Sequence, residues 1–68
     1  MPNEIPVEVL VVRELEMGWI CELNERPAFL GRLQVPPGVR MPAEQQRATV
    51  QFPLGFAREL GLIAQRTA

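Results

Sequence analysis

The first part of the chain alternates. Ile5, Val7, Val9, Val11 and Leu15 fall on one parity, with Glu8, Glu14 and Glu16 on the other. An apolar residue at every second position marks a strand with one buried face. Leu10 and Val12 interrupt the polar parity, so the second face is expected to be partly covered, as in a strand that bends within a small closed barrel. Pro6 donates nothing to a ladder and belongs at a strand start or an edge. Glu16-Met17-Gly18 predicts a tight turn, with Gly18 able to adopt a positive φ. Residues 19–23 read as a second strand whose inward set is Trp19, Cys21 and Leu23. Asn24-Glu25-Arg26-Pro27 is the next turn. Residues 28–35 read as a third strand. One parity holds Phe29, Gly31, Leu33 and Val35, and the other Ala28, Leu30, Arg32 and Gln34. Gly31 in mid-strand predicts a bulge, a bend or a close approach.

Val35-Pro36-Pro37-Gly38 is a strong break, with Pro37 and Gly38 matching the central positions of a type II turn. Residues 39–46 lack periodicity and read as a loop, with at most one helical turn, and as the expected mobile or binding loop. Ala48 to Phe52 is a short strand that stops at Pro53. Phe56, Leu60 and Ile63 then share one face of a helix near Pro53–Leu60. Pro53 suits the first helical turn, and Gly61 suits the position just past the end. The expected fold is mainly β: a small four- to five-stranded antiparallel β-barrel, OB-like or SH3-like, with a short C-terminal α-helix. Its expected core is Val7, Val9, Val11, Leu23, Leu33, Val50, Phe52, Phe56 and Leu60. One domain spans residues 1–68, with 1–4 and 64–68 frayed.

Composition narrows the function classes. A chain of 68 residues buries only ~60% of the surface its unfolded form exposes, so it needs a dense core, a staple or a partner. Cys21 is the only cysteine and there is no histidine, which removes an internal disulfide and a zinc site. No metal or cofactor is expected. The net charge of −1 supplies no field that would gather nucleic acid or an anionic membrane. No apolar run is long enough to span a bilayer, and the N-terminus has no basic start before an apolar segment, so a soluble cytoplasmic protein is expected. All seven cations are Arg and all eight anions Glu; Lys, Asp, Ser and Tyr are missing as well. Without His, Asp or Ser the usual acid–base and nucleophilic parts are absent, and the chain is not expected to be an enzyme. Cys21, between Trp19 and Leu23 and with no flanking cation, is expected to be buried and inert.

Gly18-Trp19-Ile20-Cys21-Glu22-Leu23, Ala28-Phe29-Leu30-Gly31 and residues 47–52 resemble, in order and spacing, the OB-type RNA-binding domain repeated in a large ribosomal protein of the small subunit. Residues 52–62, from Phe52-Pro53 to Leu60-Gly61-Leu62, are similar to the ending of small phage and bacterial β-barrel proteins. A strand, Pro and a helix ending in Leu-Gly-Leu also resembles looped-hinge transcription regulators, which carry further strands after that helix. In barrels that bind single strands, aromatics on the second and third strands stack bases and Arg tracks phosphates. The resemblance therefore implies a nucleic-acid face of Trp19 and Phe29 with Arg13, Arg32 and Arg40. Core filling by the same aromatics is the competing expectation. Two functions follow: a module for single-stranded nucleic acid or RNA, slightly preferred, and a protein-interaction module such as a phage-type adaptor, an inhibitor or a homo-oligomer. One contiguous Arg face favours the first, and interspersed Glu and Arg the second.

Overall fold

The computed structural model describes residues 3–62. Its elements are β1 (Glu4–Leu15), β2 (Gly18–Leu23), β3 (Arg26–Gly31), β4 (Arg47–Pro53) and α1 (Leu54–Glu59). The strands form one antiparallel sheet in the order β3-β2-β1-β4. The long β1 lies at the centre because it serves two partners in succession. Residues 4–10 pair with β4, and residues 9–15 pair with β2. The mainly β architecture with a short helix is as expected, but the closed barrel is not seen. Within the described residues β3 and β4 are the two edges of an open sheet.

β3 also stops early, at Gly31. Its carbonyl accepts the N–H groups of Gln34 and Val35 at 2.9 and 3.2 Å, and this turn ends β3 four residues before the expected Val35. Leu33 is therefore thrown into solvent, fully exposed at 103%, and is not a core residue. Nor does Gly31 mark a close approach: a Cβ there would meet nothing nearer than 3.7 Å. At the chain start, the Asn3 carbonyl accepts the Leu54 N–H and Glu4 pairs with Pro53, so order reaches beyond the expected frayed end. Ile63 and residues 64–68 lie outside the described residues.

Both hairpins turn in two residues. Leu15 faces Gly18 across Glu16-Met17, and Leu23 faces Arg26 across Asn24-Glu25. Asn24 and Glu25 have φ of +51° and +71°, the pair of left-handed residues that a tight hairpin of matching twist requires. Arg26 and Pro27 belong to β3, and Pro27 sits on an edge strand where its missing donor is tolerated. Gly18 differs from expectation. Its φ is not positive; glycine is needed because a Cβ would lie 2.1 Å from the Leu30 carbonyl oxygen.

The inner face of the sheet carries Val7, Val9, Val11, Cys21, Leu23, Leu30, Val50 and Phe52, all buried. Phe56 and Ala57 of α1 close the core from one end, and Val35, Val39 and Met41 of the connecting loop pack onto it. The rings of Phe52 and Phe56 meet at 5.3 Å between centroids. Pro53 is the residue preceding the first helical turn, and Gly61, at φ +74°, ends the helix. The Gly61 N–H donates to the Arg58 carbonyl and the Leu62 N–H to the Ala57 carbonyl, the two bonds of a Schellman ending. Pro37-Gly38 forms the expected turn, with Val39 N–H on the Pro36 carbonyl and Gly38 at φ +95°.

The break in the polar parity of β1 has another explanation. The register slips between Val11 and Arg13, a bulge that leaves Val12 outward, 38% exposed, and brings Arg13 to the same side opposite Ile20. Leu10 is only half-buried, so the second face of β1 is open and not a second core. The loop that follows Pro42 is stitched to this bulge. Gln45 donates from its backbone to the Val11 carbonyl and from its side chain to the Val12 carbonyl, at 2.7 and 2.6 Å. Glu44 accepts the Glu14 N–H at 2.9 Å. No helical turn forms there.

Candidate binding surface

The five residues expected to form one nucleic-acid face are distributed over different surfaces. Trp19 lies opposite Leu30 and shares its inner face, whereas Phe29 lies opposite Ile20 and points outward. Neighbours in sequence position on adjacent strands thus end up on opposite sides of the sheet, because antiparallel pairing preserves alternation. Arg40 lies beside the β4 edge, in a shallow hollow of about 390 Å³ with Gly38, Pro42 and Thr49. That is the edge furthest from Phe29.

Arg32 is not in mid-strand. It follows β3 in the turn after Gly31, and its guanidinium faces inward to the tip of the first hairpin. Nε donates to the Glu16 carbonyl at 2.9 Å, and one terminal nitrogen donates to the Leu15 carbonyl at 2.8 Å and to Glu14 at 3.3 Å. The planar group stacks on Trp19, 4.5 Å from the ring centroid. Planarity and a fixed fork of donors let one Arg do all of this at once. Arg32 is a clasp on the hairpin, and the Trp19 ring lies beneath it.

The outer face carries a different set, which alternation alone did not single out. Phe29 is 49% exposed and Ile20, its cross-strand neighbour, 41%. Arg13 faces Ile20 from the other side, and Val12 bulges beside it. Leu10, Glu22 and Pro27 form the next row. Further along, Glu8 and Arg47 make an ion pair at 3.1 Å. Cations and anions therefore alternate around an apolar patch, and no contiguous Arg face forms there. The signal for Ile20 was present in the sequence: it falls on the parity opposite Cys21 and Leu23.

Cys21 is buried at 1% exposure, and burial pushes its thiol pKa up. A protonated, enclosed thiol is neither a ready nucleophile nor a ready ligand. Among the described residues no cluster of His, Cys, Asp or Glu is placed to hold a metal, and no helix is long and apolar enough to cross a membrane. Compared with protein-family models, curated proteins and solved structures, the chain matches none.

Proposed function

We propose that this chain is a non-enzymatic protein-interaction module that docks its partner on the outer face of β2 and β3. The observation that carries this reading is the exposed Ile20–Phe29 pair on the edge strand β3 and its neighbour β2. Single exposed apolar residues are ordinary, but two facing each other across strands, with Val12 close by, form a patch that water covers poorly. The interspersed charge around it suits the polar rim of a protein interface. An OB-like or SH3-like relationship stays part of the proposal, since an OB-type barrel also binds through its second and third strands.

A nucleic-acid role is narrowed to the same face, where Phe29 and Arg13 flank Ile20. Arg32 and Trp19 do not contribute to it, because each is engaged with the other. Affinity capture from cell extract, with and without nuclease, tests the choice. The proposal expects a nuclease-resistant protein that Phe29→Lys no longer retains. A partner released by nuclease, together with binding of labelled single strands that weakens as salt rises, would reverse the order of the two readings.

A further inference from the structure

We infer that the partner of this face includes a second copy of the chain, joined edge to edge through β3; the inference rests on the docking surface proposed above. The backbone of β3 carries the argument. The Arg32 N–H donates to the Met17 carbonyl at 2.8 Å, continuing the β2–β3 ladder. By alternation, Ala28 and Leu30 also direct their backbone groups toward β2, while Pro27, Phe29 and Gly31 direct theirs to the open edge. The Gly31 N–H agrees with this, since it turns away from β2 to the Gln34 side chain at 3.2 Å.

Two such edges fit each other when paired antiparallel about a two-fold axis at Phe29. Phe29 then exchanges both backbone bonds with the partner's Phe29. Pro27 lies opposite the partner's Gly31, whose N–H can serve the Pro27 carbonyl. Pro27 has no N–H to return, but the group it would have served is already satisfied: the Gly31 carbonyl accepts from Gln34 and Val35 within its own chain. The missing donor and the occupied acceptor coincide. The exposed Gln34 side chain must give up its bond to the Gly31 N–H, and the backbone of residues 34 and 35, which lies on the Gly31 carbonyl, must stand clear of the partner's Pro27. Arg26 lies opposite the partner's Arg32, whose charge is already balanced by Glu14.

The side chains favour the same joint. Phe29 meets its own copy on the outer face, and the two Ile20–Phe29 pairs merge into one apolar strip across an isologous interface. The β4 edge offers no such match. Its outward residues are Arg47, Thr49 and Gln51, and Arg47 is tied to Glu8. A 68-residue chain without a disulfide also gains from an edge that is covered rather than left as a template for aggregation.

Cysteine scanning in a Cys21→Ala background tests the register. Facing residues in a hydrogen-bonded antiparallel pair lie about 5.5 Å apart at Cα, within disulfide range. Phe29→Cys should therefore form a disulfide-linked dimer on mild oxidation. Ile20→Cys should stay monomeric, because its copy lies three strand spacings away, about 14 Å. Sedimentation equilibrium should give the wild type twice the monomer mass, and Phe29→Lys, which sets like charges together at the axis, half of that with an unchanged circular dichroism spectrum. A wild type that stays monomeric at every concentration overturns the self-pairing, as does cross-linking through Ile20→Cys in place of Phe29→Cys. The docking reading fails separately, if no Phe29-dependent protein partner of any kind is found.

Discussion

The Arg32 guanidinium is held from several directions at once, and that gives it a measurable signature. It bonds two carbonyls of the hairpin tip, pairs with Glu14 and covers Trp19. The pair itself is half exposed and contributes little. The fork and the stack are what lysine cannot reproduce. Arg32→Lys keeps the charge and should still lower stability by about 1 kcal/mol in urea titrations; an unchanged midpoint would show that the clasp is ornamental. Two glycines make a sharper contrast. Gly18→Ala places a methyl against the Leu30 carbonyl and must push β2 and β3 apart, at a cost of about 3 kcal/mol. Gly55→Ala enters open space within α1 and should stabilise by ~0.5–1 kcal/mol. Thermal melts of the two variants should move in opposite directions.

α1 is too short to be stable by itself, since isolated helices need roughly 12–15 residues. It exists because Phe56 and Ala57 seal the end of the core and because Gly61 terminates it cleanly. Phe56→Ala should therefore cost ~3–5 kcal/mol and remove the helical signal together with the sheet in one transition. A loss below about 1 kcal/mol, the size of an ordinary surface change, would show that the sheet stands without its plug. The strands divide their labour in a similar way. β1 supplies the centre, its bulge anchors the loop that carries Gln45, and β3 is left with one free edge.

Cys21 reports on the integrity of the molecule as a unit, because its thiol is reached only when the core opens. Labelling of the native protein by a thiol reagent should be slow and should accelerate with denaturant. The raised thiol pKa has a consequence for stability with a definite sign. Below the ordinary thiol pKa, both folded and unfolded chains keep the proton. As pH rises through that value, near 8.5, the unfolded chain releases it first while the folded chain holds it. The unfolded state then binds fewer protons, so stability falls as pH rises. The chain has no His, Tyr or Lys, so Cys21 is the only side chain that titrates in this range. The urea midpoint should drop from about pH 8.5 upward in the wild type, more steeply than in Cys21→Ala.

Period-2 alternation was sufficient to place β1, β2 and β4 and the inward set Val7, Val9, Val11, Cys21 and Leu23, and the four-then-three spacing of Phe56, Leu60 and Ile63 placed the helix. The turn chemistry of Pro37-Gly38 and Gly61 could be read the same way, because φ preference is a property of the residue and its neighbours in the chain. The end of β3 could not. Leu33 and Val35 continue its alternation, yet Gln34 and Val35 turn back on Gly31 and the strand stops. That choice depends on hydrogen bonds no periodicity records. The same holds for the candidate surface. Trp19 and Phe29 look equivalent as strand aromatics, and Arg32 looks like any exposed cation. Pairing of β2 with β3 sends the two rings to opposite faces, and the hairpin tip claims Arg32. Local pattern decides which residues alternate, but only strand pairing in three dimensions decides which of them meet, and the binding surface is made of those meetings.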